Sequence, residues 1–92
     1  MSSSIYYKEQ FSEVFHRLLS KSGVSCYRIS QYTGIDQAYL SRLRSGEKHD
    51  PSMEVIMKIC FALVHFNEKI EMSDIEELLY SVGRTISKHK YY

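Results

Sequence analysis

Tryptophan is absent from this 92-residue chain, proline occurs once and glycine four times. So few helix breakers, with 43% hydrophobic residues, point to a folded, mostly helical chain and exclude one that stays disordered for want of a core. Cysteine is scarce too. Cys26 and Cys60 share no CxxC spacing and the four histidines, at 16, 49, 65 and 89, are scattered, so neither a disulfide framework nor a metal site is expected, and no cofactor is called for. No apolar run approaches the ~20 residues of a membrane span. The start MSSSIYYKEQ lacks the apolar stretch of a secretion signal, and the reading is a cytoplasmic protein with no membrane partner. No spacing sets a nucleophile beside a base and no glycine-rich loop could cradle phosphates, so an enzyme is not expected.

A strong excess of one charge is also missing: the net is +1 at pH 7. The distribution says more than the sum. Residues 8–48 carry seven Lys/Arg against four acids, residues 49–82 two against seven, and residues 83–92 three basic residues and no acid. The first of these segments is therefore a cationic half, and the second an acidic one.

What is present is helical periodicity. Phe11, Val14, Phe15, Leu18 and Leu19 fall at i, i+3, i+4, i+7 and i+8, one wide apolar stripe that ends at Gly23. Ser25 is placed to cap a second helix, Thr33-Gly34-Ile35 to break it, and Asp36 to cap a third carrying Leu40 and Leu43. Two short helices hinged at a glycine form a helix-turn-helix, here Ser25 to Ser45. The third helix turns Gln37, Ala38, Ser41 and Arg42 away from its leucines, a face of hydrogen-bonding and cationic groups suited to base edges.

After the polar loop 47–50, Asp50-Pro51 reads as the start of a fourth helix that buries Met53, Ile56, Ile59, Cys60 and Leu63. The pattern lapses from His65 to Met72. Ser73-Asp74-Ile75-Glu76 reads as a capping box opening a fifth helix, with Ile75, Leu78, Leu79, Val82 and Ile86 at spacings of three and four. The expectation is an all-α, compact five-helix single domain over 1–92. Its core four-helix unit is 5–65, its C-terminal helix 73–86 and its basic tail 87–92.

Residues 11–65 resemble the lambda-repressor-like, Cro-type helix-turn-helix family. The resemblance rests on Ser30 before the turn, Gly34 in it, the run Leu40-Ser41-Arg42-Leu43, Ser45-Gly46, and Pro51 to Ile59 five residues on. It implies a lambda-repressor-like DNA-binding domain whose partner is double-stranded DNA. By this resemblance Gln37, Ala38, Ser41 and Arg42 lie at the major groove, where an amide pairs with adenine and a guanidinium with guanine. Phosphate contacts are expected from Ser25, Tyr27, Arg28, Ser45 and Lys48, and from the backbone amides opening the second helix. Tyr39 either reaches a phosphate or packs its ring beside the first helix. The chain departs from the family's pattern in three places. Cys26 stands where a glutamine commonly bonds phosphate. Leu19 and Arg44 stand where many relatives pair an arginine with a glutamate, so Arg44 is expected to point outward, towards a phosphate or Glu47.

Ninety-two residues make a marginal core unless the helices pack tightly or a partner chain completes it. Leu79, Val82 and Ile86, with Phe61, Val64 and Phe66, are more apolar surface than one small domain buries, and a homodimer through the C-terminal third is expected. The function implied is a sequence-specific transcriptional regulator, a dimeric repressor that occludes a promoter. Two alternatives stand beside it: an antitoxin-like regulator that also binds a small toxin through its C-terminal third, and a protein-interaction module on a helix-turn-helix scaffold.

Overall fold

Ser25, Asp36 and Ser52 each do the same job: an oxygen of the side chain accepts the backbone N–H three residues on, from Arg28, Tyr39 and Val55 at 3.1, 3.0 and 3.2 Å. Each satisfies one amide that a helix start leaves without a partner. The structure is a computed structural model that describes the backbone of residues 10–90 and the side chains of residues 10–83. It contains α1 (Phe11–Ser22), α2 (Cys26–Thr33), α3 (Gln37–Ser45), α4 (Met53–Phe66) and α5 (Met72–Lys90). Among the described residues all regular structure is helical. The all-α, five-helix expectation therefore holds, while the start of the 5–65 unit and the end of the basic tail lie outside the described residues.

The apolar stripe of α1 is the centre of the core. Phe11, Val14, Phe15 and Leu18 are fully buried and Leu19 nearly so, and α1 packs on α3 along one side and on α5 along the other. The Phe11 and Phe15 rings lie with centroids 5.6 Å apart. α2 packs against α3 and α4, contributing Cys26 and Ile29; α4 contributes Ile56, Ile59, Cys60, Ala62 and Leu63. Both cysteines are free and buried. Burial pushes the Cys60 thiol up to about 11, so it is a core side chain at neutral pH rather than a reactive thiolate.

Three expectations need correction. α4 begins at Met53 under the Ser52 cap, not at Asp50-Pro51, because the Ser52 hydroxyl takes the Val55 amide while Pro51 is buried just ahead of the helix. Met53 itself is 63% exposed, since the first turn of α4 overhangs the core. α5 begins at Met72, ahead of the expected Ser73 cap. Its third residue, Asp74, reaches back to the Glu71 N–H at 2.9 Å, so the reciprocal acid is Asp74 rather than Glu76. The end of α5, expected at 86, lies at Lys90.

Two polar contacts hold α5 and the segment before it onto α1. Asn67 Nδ2 donates to the Ser22 carbonyl at 2.6 Å, and Lys21 Nζ pairs with Asp74 Oδ2 at 2.8 Å. Burial raises the Asp74 carboxyl, but the Glu71 N–H, the Lys21 bond and charge, and the more distant Arg17 outweigh it, leaving it below its ordinary value of 3.8. A depressed folded-state value means stability that is present above that ordinary value and lost as the pH falls through the folded one. Asp74→Ala should cost about 1–2 kcal/mol in urea unfolding at pH 7. The gap between variant and wild type should narrow as the pH is lowered below 3.8.

Candidate nucleic-acid interface

The turn between α2 and α3 is built from three residues. The Gly34 N–H donates to the Ser30 carbonyl at 2.8 Å, with Gly34 at φ 83°, a left-handed conformation that costs any residue with a Cβ. Thr33 then closes the loop, its hydroxyl donating to the Ile29 carbonyl at 2.7 Å and accepting the Ile35 N–H at 3.1 Å. Ile35 packs on the core from the far side of the turn. α2 and α3 are thereby held at a fixed angle.

Leu40 and Leu43 are both fully buried, and they set the rotation of α3. With 100° per residue, burying these two turns Gln37, Ala38 and Arg42 outward, and all three are exposed. Ser41 is half-buried and accepts from the Arg44 guanidinium at 3.3 Å. The four expected base-reading residues thus share one side of α3, with Ser41 at its edge. Ala38, Ser41, Arg42, Arg44, Ser45 and Glu47 line an open depression of about 420 Å³.

The Arg42 carbonyl ends the helix, accepting the Gly46 N–H at 3.1 Å, the Lys48 N–H at 3.0 Å and the Ser45 hydroxyl at 3.1 Å. These bonds fix the loop that presents Ser45 and Lys48, both exposed. On α2, Ser25 and Tyr27 are exposed beside the first-turn amides. Cys26 is 5% exposed and offers nothing to a phosphate; burial raises its thiol, partly offset by the charge of Arg44.

Arg44 departs from expectation. It is half-buried, bonds Ser41 and stands between two depressions, the second lined by Ser12, Glu13, His16 and Ser45. Leu19, at 6% exposure, is an apolar core residue that offers no counter-charge, and the guanidinium lies back against α3 instead of pointing straight out. Arg28 is also re-aimed: its guanidinium sits 4.5 Å from the Phe66 ring centroid, on the side of α2 that faces α4. The ring of Tyr39 packs on the core. Burial, then the nearby Asp50, raises its hydroxyl, and the place of the ring on the core is what the packing alternative expects. Of the residues expected at an interface between copies, Leu79 is 39% exposed but Val82 only 7%. Val82 faces inward and belongs to the core, and the side chain of Ile86 lies outside the described residues.

Sequence reasoning put Thr33 in the turn without the two bonds by which it locks it, and passed over Ser12 and His16, which border α3 from α1. Their position on the polar side of the α1 stripe was visible, but not that α3 ends beside them.

Two short helices locked by a left-handed glycine, the second with a polar outer face, define a helix-turn-helix domain. The family of Cro/C1-type helix-turn-helix DNA-binding domains matches at residues 15–64, over half of the chain, and the chain belongs to that family. No curated protein and no solved structure matches it. Because a Cβ at Gly34 would meet nothing within 4 Å, its constraint is purely one of backbone conformation. Gly34→Ala should therefore cost about 1–2 kcal/mol in chemical denaturation, and Gly34→Asn distinctly less.

Proposed function

We propose that the chain is a sequence-specific transcriptional regulator that reads base edges with Gln37, Ala38, Ser41 and Arg42. The observation that carries this reading is the outer face of α3, polar and exposed, held in rotation by two fully buried leucines inside a family of DNA-binding domains. An exposed amide and guanidinium on one helix face are the groups that pair bidentately with adenine and guanine.

The phosphate grip falls to Ser25, Tyr27, the first amides of α2, Ser45 and Lys48, with Arg44 as a half-buried cation between α1 and α3. Arg28 and Tyr39 contribute to packing instead. Such contacts position the domain and carry no sequence information. The cationic half of the sequence is the half that forms this face, so a net charge of +1 is compatible with binding a polyanion.

The regulator acts as a dimeric repressor, its two copies of α3 in successive major grooves about 34 Å apart, and blocks a promoter by occupying it. No catalysis is involved. Among the described residues no group of side chains could hold a metal ion, and no helix is long and apolar enough to cross a membrane.

Selection from random-sequence DNA at two salt concentrations tests the reading. The expected outcome is an enriched two-fold-related site and a linear loss of log affinity with log salt. Arg42→Ala should cost about 1–3 kcal/mol at one base position and relax the preference there, whereas Lys48→Ala should weaken all sequences alike and reduce the salt slope by about 1. Selection that enriches no sequence, with no salt slope, would exclude DNA reading.

A further inference from the structure

α1 packs on α3 and on α5, and its polar side chains divide between these two flanks. With 100° per residue, Ser12, His16 and Leu19 fall within about 60° of one another, while Arg17 and Lys21 lie on the opposite flank. There the charges of both act on Asp74 of α5. The first group borders an open cleft of about 310 Å³ between α1 and the end of α3, lined by Ser12, Glu13, His16, Arg44 and Ser45. The two helices come close at this point, since a Cβ at Gly46 would lie 3.2 Å from the Ser12 hydroxyl. Arg44 and Ser45 also line the depression on the outer face of α3, so the cleft adjoins the surface that carries Arg42.

Arg44 makes the cleft a place for an anion. It is half-buried, and among the described residues its guanidinium bonds the neutral Ser41 hydroxyl at 3.3 Å and forms no ion pair. A partly desolvated cation without a counter-charge gains more from an arriving anion than a fully solvated one does. Two acids stand nearby. Glu13 Oε1 accepts the Gln10 N–H at 2.7 Å, which holds it towards the start of α1, and Glu47 lies across the neighbouring depression, exposed to solvent. The other polar side chains of the cleft are donors, two hydroxyls and an imidazole.

We propose that this cleft seats one phosphate group of the DNA backbone, held by Arg44 and the Ser12 and Ser45 hydroxyls, and that His16 joins it as an imidazolium, so that DNA affinity depends on pH. This rests on the DNA-binding reading above and adds α1 to its grip. Histidine is the side chain that ordinarily changes charge between pH 5 and 8, and a phosphate beside an imidazole favours the protonated form. Binding therefore takes up protons over this range and weakens as the pH rises. The phosphate sets that sign, because Glu13 and Arg44 face His16 with or without DNA and Arg17 is turned to α5. His49, in the loop before α4, is the other histidine near this surface and serves as the control.

Fluorescence anisotropy of the full chain on its selected duplex, at about pH 6 and pH 8 and at two salt concentrations, tests the seat. Wild-type affinity should fall about fivefold between the two pH values, the upper end for a partly exposed charge pair, with a salt slope steeper by about 0.9 at the lower pH. His16→Gln should bind at both pH values as wild type does at the higher one. His16→Lys should keep the low-pH affinity at both, and Ser12→Ala should weaken binding at both. Calorimetry in buffers of different ionisation enthalpy should show proton uptake by wild type and less by His16→Gln, while His49→Gln keeps the wild-type profile. A pH-independent wild type, or a pH profile that survives His16→Gln, would overturn the seat and leave DNA binding standing. A wild-type chain that binds no duplex would overturn both. Free phosphate is the other source of the same group. If inorganic phosphate alone shifts the Ser12 and His16 amides while DNA affinity ignores all three α1 variants, the cleft is a free-anion site and the proposal falls.

Discussion

The burial of Leu40 and Leu43 against the α1 stripe is the interaction on which the function depends. α3 is nine residues long, too short to be stable alone. It exists as a helix because Asp36 caps it and because two leucines anchor it to a core centred on Phe11, Val14, Phe15 and Leu18. The same anchors fix its rotation, so the direction in which Gln37, Ala38 and Arg42 point is a property of the core and not of the surface. A rigid element presenting a few polar side chains is what base readout requires, since a bidentate hydrogen bond tolerates little misplacement.

The remaining architecture keeps that element in place from two sides. On one, Gly34 and Thr33 fix the angle at which α2 meets α3, so the amides opening α2 and the side chains of α3 address one surface together. On the other, α5 is clasped to α1 by the Lys21–Asp74 pair and the Asn67 bond to the Ser22 carbonyl. α1 is therefore packed on both flanks, and among the described residues the outer side of α5 keeps exposed apolar side chains, an acid and a glycine. The separation of charge along the sequence follows the same division: cations on the half containing α2 and α3, acids on α4 and the start of α5.

Much of this was legible in the sequence because it is periodic or capped. The α1 stripe is buried residue for residue, and Ser25, Gly34, Asp36, Leu40 and Leu43 do what their spacing implies. What escaped was decided in three dimensions. Asp50-Pro51 and Ser73 are plausible helix starts, yet Ser52 and Asp74 won because their oxygens reach an amide three residues away along the chain. Val82 and Leu79 are alike in composition and period, and only the packing of α5 on α1 shows that one is core and the other exposed. Arg44 and Arg28 carry the same charge as Lys48, but long flexible side chains find local partners, Ser41 and the Phe66 ring, that spacing alone does not reveal. Residues 1–9 and the side chains beyond Gly83 lie outside what the structure describes, and Ile86 with them.

The most direct test of the central claim is an amide chemical-shift titration of the isotope-labelled protein with the selected DNA duplex. If α3 is a recognition helix positioned by the core, the largest perturbations fall on residues 37–42, on the first turn of α2 and on the loop through Lys48, while the exposed α4 face around Met57 and Phe61 is unaffected by DNA contact. Perturbations centred on that α4 face, with residues 37–42 unmoved, would contradict the account.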